Sequence, residues 1–259
     1  MGKIVSVHSF RGGTGKSNLT ANLASQVALA GKRVGVIDTD IQSPGIHVLF
    51  GLRPETMGHT LNEFLRGECT IEDVAVNVAD HARATPGLDR LAGRTLFLVP
   101  SSIKGQEIAA VVRDGYDINR LNMGLQTMLE SLRLDYLLID THPGMNEETL
   151  LSVATSDMLI IILRPDQQDF QGTAVTVDIA RRLDVPNLQL VVNKVLTRYD
   201  FDEIRDQVRR TYDAPVVGVL PLTEDLADLG SAGVFSLRYP DHAWSQAIRA
   251  TTRSILDMA

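Results

Sequence analysis

Nine residues near the start of the chain, Phe10-Arg11-Gly12-Gly13-Thr14-Gly15-Lys16-Ser17-Asn18, combine a glycine-rich turn with a lysine and a hydroxyl. An apolar run, Ile4-Val5-Ser6-Val7, precedes them, and a helix-like segment from Leu19 to Ala30 follows. Strand, glycine turn and helix in that order make a cradle for phosphate. Without Cβ atoms, Gly12, Gly13 and Gly15 let backbone N–H groups converge on an anion. The helix that starts there adds the positive end of its dipole at the same point. Thr14 and Asn18 complete the loop, Lys16 is spaced to meet β- and γ-phosphates, and the Ser17 hydroxyl is spaced to take a Mg²⁺ site.

Acidic residues end two other apolar runs. Val34–Ile37 runs into Asp38-Thr39-Asp40, and Tyr136–Ile139 into Asp140. Carboxylates at the tips of buried parallel strands point toward a phosphate site, where Asp38 and Asp140 can hold Mg²⁺ or its waters. Side chains in a strand alternate, so Asp38 and Asp40 are expected on one side, where they can hold Mg²⁺-bound water or orient an attacking water. Polar loops follow both acids, Ile41-Gln42-Ser43-Pro44-Gly45 and Thr141-His142-Pro143-Gly144. A histidine such as His142 more often packs or faces a partner than acts as a base, because phosphoryl transfer depends on positioning. Asn193 ends the run Leu188–Val192; its amide has the donor and acceptor that suit the N6/N7 edge of adenine, or it simply terminates a strand. Pro221, with Leu222 and Thr223, is placed to form a second wall of such a base pocket.

The elements that must position these residues are legible as alternating segments. Strand-like runs fall at Ile4–Val7, Arg33–Ile37, Thr95–Val99, Tyr136–Ile139, Met158–Leu163, Leu188–Val192 and Val216–Leu220. Most are continuous Val/Ile/Leu runs, as expected for parallel strands covered on both faces. Helix-like segments lie at Leu19–Ala30, Asn119–Leu132, Glu147–Ala154, Thr173–Leu183, Asp202–Thr211 and Asp241–Met258. Such alternation predicts an α/β fold, a doubly wound and mostly parallel sheet flanked by helices, with its ligand at the carboxyl ends of the strands. Gly51 to Gly93 reads as short helices and a surface excursion, and Asp166 to Gln171 as a polar loop. No linker or repeat interrupts the chain, so residues 1–259 are expected to form one domain.

Composition narrows the function classes. Of 259 residues, 44% are hydrophobic and 22% charged, which is ordinary for a globular chain. No apolar run approaches the ~20 residues that span a bilayer, and Met1-Gly2-Lys3 enters the first strand directly, which points to the cytoplasm. The net charge of −7 argues against coating nucleic acid by bulk charge. Arg181, Arg182, Arg205, Arg209 and Arg210 leave a local basic face open, and with it non-specific DNA binding. A single cysteine, Cys69, supplies neither a disulfide nor two ligands for a cluster bridging two subunits. The last helix carries too few bulky apolar and basic residues to target a membrane; Ile248, Ile255 and Leu256 are expected to pack on the sheet.

Taken together, the loop, Asp38-x-Asp40 and Asp140 resemble the MinD/ParA family of ATPases, whose deviant Walker A loop reads Lys-Gly-Gly-x-Gly-Lys-Ser/Thr. The likeness runs from Lys3 to the last helix. A standard P-loop would have glycine where Phe10 stands, and Arg11 takes the place of the family's signature lysine. What the resemblance implies is a P-loop fold that binds ATP with Mg²⁺, hydrolyses it slowly, dimerises around it and positions a regulatory or cargo protein. Lys16, Asp40 and Arg11 would then be the catalytic residues, and Asn193 would touch the base. Arg11 has two outcomes: an arginine finger reaching the partner's phosphates, or a side chain turned back on its own subunit. Two rivals stay open, a nucleotide-gated adaptor with little hydrolysis and a small-molecule phosphoryl transferase on the same scaffold.

Overall fold

Val5 and Val7 lie on one face of the first strand, β1 (Lys3–His8), and Ile4 on the other, each within a separate apolar cluster. That split repeats across the sheet and explains why its strands read as unbroken aliphatic runs. The computed structural model describes residues 2–81 and 85–258. The remaining strands are β2 (Val34–Asp38), β3 (Val76–Asn77), β4 (Leu96–Val99), β5 (Tyr136–Asp140), β6 (Met158–Leu163), β7 (Leu188–Val195) and β8 (Val216–Pro221). The helices are α1 (Lys16–Leu29), α2 (Ile46–Leu49), α3 (Leu61–Arg66), α4 (Gly105–Asp114), α5 (Ile118–Ser131), α6 (Glu147–Ala154), α7 (Gln167–Arg182), α8 (Phe201–Tyr212), α9 (Glu224–Asp228), α10 (Phe235–Arg238) and α11 (Ala243–Met258).

All eight strands join one sheet in the order β3-β4-β2-β5-β1-β6-β7-β8. Every pairing is parallel except β3 with β4, an antiparallel edge that the sequence reading missed because two residues carry no periodicity. The chain winds to one side of β1 as far as β5 and to the other from β6 onward. The crevice at the carboxyl end of β1 is therefore the topological switch point.

One face of the sheet is covered by α1, α10 and α11. Trp244, Ile248 and Ile255 of α11 are buried there, with Leu256 packed against them, as expected. Helix α1 is enclosed on nearly every side, so its small residues Ala21, Ala24, Ser25 and Ala28 let neighbours approach. The opposite face carries α5 near β5 and α7 near β6.

Three expectations are corrected. The stretch from Gly51 to Gly93 is not a surface excursion: Leu52, Met57, Leu61, Phe64, Ile71, Val74, Leu88 and Leu91 are all buried, although residues 82–84 lie outside the described chain. Its apolar residues are spaced irregularly because it is built from α3, β3 and two 3₁₀ turns. Asp166 to Gln171 is not a loop either. Asp166 is the N-cap of α7, its carboxylate accepting from Asp169 N, so the helix begins six residues before the expected Thr173. Likewise α1 starts at Lys16 and not at Leu19.

Candidate functional site

Gly15 precedes α1 with φ 95° and ψ 23°, in the left-handed region where side chains are disfavoured. A Cβ on it would also stand 2.6 Å from the Asn193 amide nitrogen. Gly13 has φ 78° but nothing within 4 Å of its ideal Cβ, so there the backbone angle, not crowding, requires glycine. No side chain caps α1 and no acidic residue occupies its first turn. The leading N–H groups of this buried helix thus open onto a cavity of about 260 Å³, lined by residues 12–18 with Ser9, Asp40, Ser43 and Pro143. A helix start without an internal acceptor is a fitting seat for an anion. A larger hollow, about 450 Å³, lies at the amino ends of β1 and β5 among Lys3, Arg133 and Asp135. It adjoins the carboxyl end of α5, where the dipole disfavours anions, so volume does not locate the phosphate site.

Strand alternation brings the two acidic tips to α1. Val34 and Val36 of β2 and Tyr136 and Leu138 of β5 belong to the cluster on the α1 face, and Asp38 and Asp140 share their parity. The two are register partners on adjacent strands. Burial, and after it the neighbouring Asp140 carboxylate, pushes the Asp38 carboxyl up to about 8. Two buried carboxylates side by side carry more negative charge than the single neighbouring lysine, Lys16, offsets, a condition that a divalent ion relieves. Lys16 Nζ lies 3.0 Å from Asp140 Oδ1, and the Thr20 hydroxyl donates to the same oxygen at 3.2 Å. Asp38 in turn shapes the loop after β2, accepting from Asp40 N at 3.1 Å and Gly45 N at 3.2 Å.

Among the described residues no group of three or more His, Cys, Asp or Glu is arranged to hold a metal. The donor set still suits Mg²⁺, which binds through one or two protein oxygens, water and phosphate instead of an all-protein cage. Ser17, whose hydroxyl makes no hydrogen bond within the described chain, joins Asp38 and Asp140 in that set.

The remaining expected residues are drawn in to different degrees. Asn193 is buried and reaches the loop, but its Nδ2 donates to Thr14 O at 2.8 Å. Beside it Lys194, at φ 59°, donates from Nζ to Gly13 O at 2.8 Å. Both residues brace the loop's carbonyls so that its N–H groups turn the other way, a role hidden in the sequence because it crosses about 180 residues. Pro221, paired with Val195 at the end of β8, does not line the cavity, and neither does Asn193.

Arg11 points along its own chain. Its Nη1 donates to Gln168 Oε1 and lies 4.0 Å from Asp169 Oδ1. Phe10 packs so closely on α7 that a Cβ on Gly172 would fall 2.3 Å from its ring. The two residues that depart from the expected loop spellings are therefore the two that grip α7. Gln168 and Asp169 carry no site signal in the sequence, because Asp166 to Gln171 has the composition of a polar loop. His142, expected only to pack or face a partner, stands against Asp40, with Nδ1 2.7 Å from Oδ1.

Three of the five arginines of the expected basic face are ion-paired. Arg182 pairs with Asp178, Arg209 with Asp206 and Arg205 with Asp202, while Arg181 donates to Tyr212 O. No helix among the described residues is long and apolar enough to cross a membrane.

Known proteins share this fold. Residues 5–237 match the CobQ/CobB/MinD/ParA nucleotide binding domain. An ATP-binding protein of Methanocaldococcus jannaschii is 26% identical over 247 residues, 94% of this chain and 84% of its own. An iron–sulfur cluster carrier protein of Rickettsia conorii is 26% identical over 230 residues, 87% of this chain but only 63% of that longer protein. The septum site-determining protein MinD of Pyrococcus horikoshii, solved with Mg-ADP, superposes with a TM-score of 0.82 at 18% identity, covering 100% of this chain and 97% of that one. With a family model spanning most of its length and the same eight-stranded architecture, the chain belongs to the CobQ/CobB/MinD/ParA nucleotide-binding family.

Proposed function

We propose that residues 1–259 act as one domain, a Mg²⁺-dependent ATP-binding and slowly hydrolysing switch that dimerises around ATP and positions or regulates a partner protein. One observation carries the reading: the uncapped start of α1 opens onto a cavity that Lys16, Ser17 and Asp40 help to line, with Lys16 paired to the buried strand tip Asp140 behind it. Backbone N–H groups of residues 12–17 bind the phosphates, and Lys16 exchanges Asp140 for phosphate oxygens. Ser17, Asp38 and Asp140 hold the cation, which when bound offsets charge on the β- and γ-phosphates. Asp40 orients the attacking water, and Asn193 and Pro221 bound the base. Arg11 reaches the partner's phosphates after leaving Gln168.

We place this chain in the cytoplasm, with α11 packed on the sheet through Trp244, Ile248 and Ile255 instead of targeting a membrane. The ion-paired arginines argue against DNA as its principal partner. A cluster-carrying role like that of the longer relative is disfavoured by the single cysteine, Cys69.

Phosphate release with ATP, with and without Mg²⁺, tests the switch against the adaptor. Wild-type protein is expected to turn over only with Mg²⁺, and Asp40→Ala to bind ATP without turnover. Tight ATP binding with no Mg²⁺-dependent release in the wild type would establish the adaptor instead. Release that requires an added small-molecule acceptor would point to the phosphoryl transferase.

A further inference from the structure

The Asp40 carboxylate is held asymmetrically. His142 Nδ1 lies 2.7 Å from Oδ1, and the Ser43 backbone N–H and hydroxyl donate to the same oxygen at 3.2 and 3.0 Å. No described residue donates to Oδ2. A carboxylate only accepts, so Nδ1 of His142 carries the hydrogen in this contact. Asp40 is also one of the residues lining the cavity over the phosphate loop.

The donors on Oδ1 are not equivalent. Ser43 is three residues from Asp40 in the same loop, so its bonds move with that loop. His142 comes from the loop after β5, 102 residues away, and that loop is tied to α6 by the Thr149 hydroxyl donating to His142 O at 3.2 Å. Only the histidine fixes the carboxylate relative to a second strand tip, the one carrying Asp140. Catalysis by positioning is sensitive to displacements of about 1 Å, so an anchor of this kind controls rate more than binding.

We propose that His142 is a positioning residue for Asp40: it occupies Oδ1 and holds the carboxylate so that Oδ2 faces the attacking water. The assignment rests on the hydrolytic reading above.

The test compares wild type with His142→Ala, His142→Asn and His142→Gln in the full chain, measuring ATP affinity by calorimetry and hydrolysis by single turnover with Mg²⁺. His142→Ala is expected to keep ATP affinity within about threefold and to lose roughly 10- to 100-fold in rate, the cost of a misplaced catalytic group. The asparagine amide stands where Nδ1 stands, so His142→Asn should recover most of the rate. The longer glutamine places its amide nearer the Nε2 position and should not. A His142→Ala rate equal to wild type, or equal rates for the Asn and Gln variants, would overturn the role while leaving the ATPase reading intact. If His142→Ala melts early, the comparison between the two amides still decides. A wild type that binds ATP but never turns over overturns the hydrolytic reading and this role together.

Discussion

Lys16 Nζ and Asp140 Oδ1 lie 3.0 Å apart with side chains only 7% and 1% exposed, so the residue placed to meet phosphate neutralises the residue placed to hold the cation. Burial makes this pair sensitive to the loss of one partner, because the other is left charged in a poor solvent. Lys16→Ala is therefore expected to abolish ATP binding in calorimetry and also to cost about 3 kcal/mol or more in urea unfolding without nucleotide. Lys16→Met, which restores volume but not charge, should be nearly as damaging. An alanine variant with wild-type stability would show that Asp140 is compensated by some other group.

Gly15 is constrained twice, by its left-handed backbone and by the Asn193 amide 2.6 Å from where a Cβ would stand. Gly15→Ala should lose at least about 1–2 kcal/mol from the backbone alone, and more if Asn193 must give up Thr14 O. Because the clash is shared, combining Gly15→Ala with Asn193→Ala should cost less than the sum of the single changes. Thermal unfolding of the four proteins measures that coupling. Strict additivity would mean that Asn193 does not crowd the loop.

How much of this could be read in advance follows from which contacts are local. The loop from Phe10 to Asn18, the acidic tips Asp38 and Asp140 and seven of the eight strands are visible as short patterns, since strand parity and glycine spacing act over a few residues. Arg11 with Gln168, Asn193 with Thr14 and His142 with Asp40 join residues more than 100 positions apart, and nothing in the neighbouring sequence announces them. The stretch from Gly51 to Gly93 misled for a related reason. Its buried Leu61, Phe64 and Ile71 pack from a short helix and turns, which leave no long periodic signature.

His8 supplies a pH prediction. It lies on β1 facing away from α1, with Nδ1 2.8 Å from Thr141 Oγ1, whose own hydrogen goes to Val7 O. Burial, then the charges of Lys16 and His142, lower its pKa from 6.5 to about 3. The unfolded chain thus takes up a proton near pH 6.5 that the folded chain refuses until about pH 3. Stability is complete above pH 6.5 and falls as pH drops through that window, by roughly 4–5 kcal/mol if the whole shift is expressed. His8→Asn keeps a donor for Thr141 and removes the titration. Urea unfolding at pH 8, 6 and 5 should show the wild type losing ground to the variant as pH falls. Parallel pH curves would mean that His8 is protonated in the fold.

Arg11 is anchored to its own subunit by little. Its guanidinium is 41% exposed, bonded to Gln168 Oε1 and 4.0 Å from Asp169, whose carboxylate is already held by Arg164 at 2.9 and 3.1 Å. An exposed contact to a carboxylate that already has a partner is worth at most about 1 kcal/mol, so the side chain can leave α7 at small cost. Arg11→Ala should accordingly change the unfolding free energy by less than about 1 kcal/mol. If the arginine crosses to bound phosphates of a second copy, the same substitution should eliminate the ATP-dependent dimer in sedimentation, tested in the Asp40→Ala background to prevent turnover. Arg11→Lys should preserve much of the dimer, because the charge survives and only the bidentate fork is lost. Gln168→Ala, which frees the guanidinium, should strengthen it. Dimerisation unchanged in Arg11→Ala would confine this arginine to its own subunit, where Phe10 on Gly172 already fastens the loop to α7.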